Sequence, residues 1–252
     1  MIRNLIVAAL VLAAPAAHAA RNSMKSDAAM AKSAMFTVRI ENVSTPSTLR
    51  SKSGETAPAP NSPGLWVLET KPARLFKAGK PQMGWGLEAQ AEDGNPTMLA
   101  EHCSHHEGVV ASGVFNTPVG DDKPGPALPG KKYEFTFTAS PGQRLAFTTM
   151  FGQSNDLFIG PDEMGIALFD GKGRPVSGDI TSKLSIWDAG TEVNEQPGFG
   201  PNQAPRQAAP NTGPSEKKPV QLIGKTGDGF SYPKVSDMIR VTLMPTETMA
   251  QH

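Results

Sequence analysis

One cysteine, Cys103, occurs in 252 residues, so the chain cannot close an intramolecular disulfide. Its stability must come from burial of apolar surface and from any bound metal. Aromatic residues make up only 6% of the chain, which predicts a core without a large aromatic component. Neither sign of charge is in excess, because 24 Lys plus Arg balance 24 Asp plus Glu. A nucleic-acid face draws on a basic surplus, and this composition does not supply one. Past the N-terminus no apolar run approaches the roughly 20 residues of a membrane span. Catalytic signatures are missing too. Neither Gly-x-Ser-x-Gly nor His-Glu-x-x-His occurs, and the single Cys lies beside histidines on one segment instead of facing one from another. The expectation is a non-catalytic protein.

What the chain does have is punctuation: 25 Gly and 23 Pro predict many turns and long surface loops. The first residues read as an address. Arg3 supplies a positive n-region, Leu5 to Ala14 a short apolar stretch, and Ala17-His18-Ala19 a small-x-small cleavage site. Residues 1–19 are therefore read as a signal peptide and 20–33 as a flexible segment. The mature chain, with its β-sandwich domain at 34–245, is expected to be exported, periplasmic or secreted, and without a transmembrane segment.

The mature chain alternates at period two. Phe36, Val38 and Ile40 interleave with Thr37, Arg39 and Glu41 over a strand spanning 35–43. Residues 64–69 read as a second strand that proline-rich flanks confine to an edge or a short element. Tyr133, Phe135, Phe137 and Ala139 form the clearest alternation, and Pro141-Gly142 predicts a hairpin into residues 145–151. Residues 166–169, 184–187 and 238–243 read as further strands, with a turn at Asp170-Gly171-Lys172-Gly173. The fold class is all-β, an antiparallel sandwich. Leu87, Ala91, Met98, Leu99 and Cys103 depart from that pattern at helical spacing. One helical turn, a break at Asp93-Gly94-Asn95-Pro96, and a helix from Pro96 to about His106 capped by Asn95 are expected.

Two loops gather oxygen ligands just beyond apolar runs. Asn155 and Asp156 follow one strand, and Asp188 to Glu195 follow another, with Gly190 permitting a tight backbone. Calcium takes six to eight oxygens from carboxylates and carbonyls, which two loops on one sandwich rim can supply. The candidate ligands are Asp156, Asp188, Glu192 and Asn155, with Asp162 and Glu163 in reach by sequence. The competing reading is that these Asx residues cap their own turns. A second candidate set for a transition metal is His102, Cys103, His105 and His106. On a helix, His102 and His106 share a face while the other two point elsewhere, and a buried Cys103 at a solvated helix end is the simpler expectation.

The ordered motifs Phe151-Gly152-Gln153-Ser154-Asn155-Asp156-Leu157-Phe158, Gly165-Ile166-Ala167-Leu168-Phe169-Asp170 and Trp187-Asp188-Ala189-Gly190-Thr191-Glu192-Val193-Asn194 resemble the spondin N-terminal domain (the F-spondin and mindin type), above all its exported bacterial versions. Pro197 to Gln207 extends the likeness, and Gly86-Leu87-Glu88 with Ala91-Glu92-Asp93-Gly94 resembles the family's helical insertion. The resemblance covers roughly residues 34–245. It implies a C2-like sandwich with a short helical insertion and a calcium ion at one loop rim. It also implies recognition of an extracellular or cell-surface protein or glycan. Asp156 and Asp188 match the family's motif aspartates. Asn155 stands where animal members have proline, Glu192 where they have aspartate, and the animal cysteines are absent. The alternative function is a periplasmic transition-metal-binding protein built on residues 102–106.

Overall fold

The computed structural model describes residues 33–71 and 75–247; the expected signal peptide and most of the segment at 20–33 lie outside them. In chain order the strands are β1 (Ala34–Asn42), β2 (Leu49–Arg50), β3 (Thr56–Ala57), β4 (Asn61–Glu69), β5 (Val109–Phe115), β6 (Lys132–Ala139), β7 (Arg144–Phe151), β8 (Leu157–Gly160), β9 (Ile166–Ala167), β10 (Gly178–Asp179), β11 (Ser185–Asp188), β12 (Gln221–Leu222) and β13 (Ile239–Glu247). Helices α1 (Leu87–Asp93) and α2 (Thr97–Ser104) lie between β4 and β5, and the short α3 (Val235–Met238) precedes β13. Two antiparallel sheets face each other. One runs β10-β13-β1-β6; the other runs β12-β11-β8-β7-β4-β5, with β9 also on β7. This is the all-β sandwich with a small helical insertion. Among the described residues no helix is long and apolar enough to cross a membrane.

Period-two patterning explains the smaller sheet. Phe36, Val38 and Ile40 of β1 are fully buried and sit opposite Phe137, Phe135 and Tyr133 of β6, while Arg39 pairs with Glu134 on the wet face. Across the sandwich, Trp66 of β4 stacks on Phe135 and Phe137 with ring centroids 5.5 and 5.2 Å apart, and Phe115 stacks on Phe135 at 5.3 Å. The few aromatics are thus concentrated between the sheets, and the expected lack of an aromatic core is corrected. The reason is positional: half of the aromatics sit on inward-facing positions of β1, β4, β5, β6 and β7, where each buries a large area.

The Pro141-Gly142 turn forms, with Gln143 N–H donating to Ser140 O at 3.1 Å, but the strands around it do not pair. β6 joins β1, whereas β7 joins β4, β8 and β9 in the facing sheet. The cause lies in their faces. β6 alternates buried and partly exposed residues, which suits a sheet with one wet side. β7 is buried at every position after Arg144, so it needs cover on both sides. That cover comes from α1 and α2, where Leu87, Ala91, Leu99 and Cys103 pack with Leu65, Val67, Ala146 and Phe158 as a second apolar layer.

The strand read at residues 64–69 is likewise not an edge. β4 is nine residues long and lies between β7 and β5. Pro63 is tolerated because the β4–β7 register shifts between Asn61 and Gly64. At that bulge Met150 N–H turns to Ser62 Oγ at 2.9 Å in place of a ladder partner. The helical break forms as expected: Gly94 ends α1 at φ 65°, and Asn95 Oδ1 accepts Thr97 N–H at 3.1 Å.

Candidate cation site

β7 and β11 both end at one rim, and the loops beyond them lock together. Ser154 Oγ donates to Phe151 O at 2.6 Å and accepts Leu157 N–H at 3.2 Å, which tightens the β7–β8 turn. That turn delivers Asn155 and Asp156 into the interior. Asn155 Oδ1 accepts Glu195 N–H at 3.0 Å. Asp156 Oδ2 accepts Thr191 N–H at 2.7 Å, Glu192 N–H at 3.1 Å and the Thr191 hydroxyl at 3.3 Å. Asp188 Oδ1 accepts Gly190 N–H at 2.6 Å, and its Oδ2 accepts the Asn194 amide at 2.7 Å. Gly190 has φ 72°, and a Cβ there would sit 2.4 Å from Lys218 O, so the position requires glycine.

The irregular stretch that follows closes over these residues. Lys218 N–H donates to Gly190 O, Glu216 N–H to Thr191 O, and Val193 N–H to Pro214 O, at 2.7 to 2.9 Å. Arg206 fastens the near end, donating to Gly200 O, Gln153 Oε1 and Gln203 Oε1. Residues 195–220 are therefore hydrogen-bonded onto the rim although they form no regular element.

Five carboxylates lie along this rim, near enough in pairs to feel one another's charge: Glu92, Asp156, Asp188, Glu192 and Glu216. Asp156 Oδ1, Glu192 Oε2 and Glu216 Oε1 are buried without a hydrogen-bond partner, and Glu92 is buried with only the Thr191 hydroxyl beside it. Burial is the main force on each shifted group. It raises Glu92 from 4.5 to about 8, eased by the Thr191 hydroxyl and reinforced by the charges of Glu192, Glu88 and Asp156. Burial and the Asp188 charge push Asp156 well above the usual carboxylate range, against the Thr191 and Glu192 N–H groups. Asp188 and Glu192 move the same way, chiefly through burial. Lys218 pairs with Glu216 at 2.7 Å, and its own pKa is raised by that bond. Burial and mutual repulsion both disfavour the charged form of these acids and so favour a neutralising positive species.

The sequence-predicted ligands separate here. Asp156, Asp188, Glu192 and Asn155 are brought together. Both oxygens of Asp188 and the Oδ1 of Asn155 are engaged in holding the loops, which leaves Asp156 and Glu192 with open acceptors. Asp162 and Glu163 are carried away by β8 to its opposite end, where Asp162 Oδ1 accepts Met164 N–H and Glu163 accepts Ala78 N–H. Glu92 and Glu216 are additions. Glu92 is a charged residue beside the apolar face of α1, a signal readable in sequence, whereas Glu216 lies in an aperiodic loop that offers none. Among the described residues, no three His, Cys, Asp or Glu side chains are grouped to hold a metal ion. A cation bound in this arrangement would draw on fewer than three such side chains, with carbonyl and water oxygens completing the shell, as calcium's variable coordination allows.

The residues at 102–106 leave their helix in different directions. Cys103 is buried in the layer beneath α2. His102 lies flat on Trp85, ring centroids 4.3 Å apart, and His106 meets both rings edge-on. His105 is exposed. A depression of about 630 Å³ lies elsewhere, against Thr45, Asp179, Asp237 and Arg240. Its carboxylates are already used: Asp179 accepts Thr181 N–H and Asp237 accepts Lys234 N–H. The rim cluster, flanked by a cavity of about 400 Å³ between Gln82, Glu88, Thr191 and Lys218, is the stronger candidate. No protein-family model matches the chain, and no curated protein matches its sequence.

Proposed function

We propose that the chain is an exported, non-catalytic recognition module of the spondin type, whose loop rim binds calcium and presents a surface to an extracellular or cell-surface protein or glycan. The observation that carries this reading is the pair of buried carboxylate oxygens without partners, Asp156 Oδ1 and Glu192 Oε2. Such oxygens are costly to bury alone, and a hard cation held by one or two of them, with carbonyl and water oxygens around it, offsets that cost. The motif resemblance around Asp156 and Asp188 supports it independently. Asp156 and Glu192 supply the open acceptors, while Asp188 and Asn155 position the loops. When bound, the ion neutralises the cluster and holds the 190–194 and 213–218 segments in place; the recognition surface is the face those segments form.

Thermal melting with calcium and with EDTA tests the reading. Calcium is expected to raise the wild-type midpoint and to lose that effect in Asp156→Asn. A midpoint indifferent to calcium and EDTA would remove the ion from the proposal.

A further inference from the structure

A second, smaller cavity of about 200 Å³ lies between α1, the start of α2 and the 82–86 segment, with Asn211 of the covering loop at its wall. Glu88, Glu92 and Asp93 of α1 line it, and Ala89 and Met98 give it apolar surface. Among the described residues no Lys, Arg or His lines it, and none of the three acids makes a salt bridge. Glu92 is 2% exposed, with the Thr191 hydroxyl as the one group beside its two oxygens. Glu88 gives one oxygen to the Gln82 amide at 2.9 Å, and Asp93 gives one to the Gln207 amide at 2.8 Å. Each acid thus keeps acceptor capacity to spare. A buried carboxylate at an acidic cavity without a counter-charge is costly until a positive group reaches it.

We propose that this cavity binds a primary ammonium on an aliphatic stem, the chemistry shared by a free alkylamine and a lysine side chain. Its volume is below the roughly 300–1,000 Å³ of pockets that hold drug-sized ligands, so it fits one extended alkyl group and excludes a sugar chain. A bare metal ion would use the carboxylates and leave the apolar wall without a role; an alkylammonium uses both. The spare acceptors sit on separate side chains, which suits the three rotating donors of an ammonium better than the fixed fork of a guanidinium. The site goes beyond the calcium reading, because neither Asp156 nor Glu192 lines this cavity.

Isothermal titration calorimetry with n-butylamine in EDTA tests this. The pH is 8.5, above the Glu92 value of about 8 and below the roughly 10.4 of a lysine-type amine. Saturable binding is expected, and none with n-butanol, which keeps the stem and lacks the charge. Glu92→Gln should weaken binding roughly ten- to a hundredfold. Ala89→Met narrows the cavity without touching a carboxylate and should abolish binding; should either variant misfold, Glu88→Gln at a half-buried position decides by the same loss. Nα-acetyl-lysine methylamide in place of butylamine separates the sources: tighter binding assigns a lysine side chain, weaker binding a free amine. Because every titration is in EDTA, its outcome is independent of whether the rim holds calcium. No saturable binding of either amine, equal binding of butanol, or wild-type affinity in a folded Glu92→Gln or Ala89→Met would overturn the proposal.

Discussion

Replacing Glu92 with Gln should stabilise the protein, by less in calcium than without it. Glu92 stands at 4.5 in the unfolded chain and about 8 in the fold. Above pH 4.5 the unfolded chain releases this proton while the folded chain keeps it until about 8, so the group's stabilising contribution is present in acid and lost as pH rises through that window. At about 1.4 kcal/mol per unit, the loss is about 3 kcal/mol by neutral pH and at most about 5 kcal/mol at the top of the window. Glutamine keeps the shape and does not titrate. In EDTA the variant should therefore melt above wild type by an amount that grows with pH. At about 2–4 °C per kcal/mol for a domain of this size, the difference near neutrality is roughly 6–12 °C. In calcium the gap should narrow, because a ligand at a hundred times its Kd adds about 2.7 kcal/mol to a protein that binds it and loss of the Glu92 charge weakens that binding. The assay is a differential scanning calorimetry series across the pH window in both conditions. Parallel pH profiles for the two proteins in EDTA would refute the idea that Glu92 is strained by burial.

Three other changes probe the frame around the site. Gly190→Ala places a Cβ against Lys218 O at φ 72° and should cost about 2 kcal/mol or more together with the calcium response, read by urea unfolding with and without the ion. Arg206→Ala removes three hydrogen bonds that pin the 195–206 segment; it should cost about 1–3 kcal/mol and expose that segment to limited proteolysis. Trp66→Ala deletes the ring stacked on Phe135 and Phe137 and should cost about 3–5 kcal/mol by chemical denaturation, with little effect on calcium affinity.

Much of the fold was legible because one-sided burial leaves a period-two trace. β1 and β6 read directly from alternating Phe, Val, Ile and Tyr, and the helix break read from Asp93-Gly94-Asn95-Pro96, whose chemistry is local. β4 and β7 were harder. They are apolar on both faces, and a continuous apolar run does not tell which strand lies beside it. The hairpin assigned to β6 and β7 failed for that reason, since a turn specifies a reversal of direction and not the sheet to which the next strand goes. At the site, Asp156 and Asp188 could be placed from sequence because each directly adjoins a strand end. Their different duties could not be, since the N–H groups that reach Asp156 come from 35 and 36 residues downstream, whereas Asp188 is held by its own loop.

Sequence by itself determined the class of the protein: a single cysteine, balanced charge, dense Gly and Pro, and period-two strands leave an all-β sandwich with a helical insertion. Tertiary structure decided which acids lie along one rim. Glu92 comes from the insertion, Asp156 and Asp188 from neighbouring strand ends, and Glu216 from an irregular loop; they meet only after both sheets and the covering layer have formed. The repulsion that defines the site follows from that burial, and burial is a property of the assembled fold.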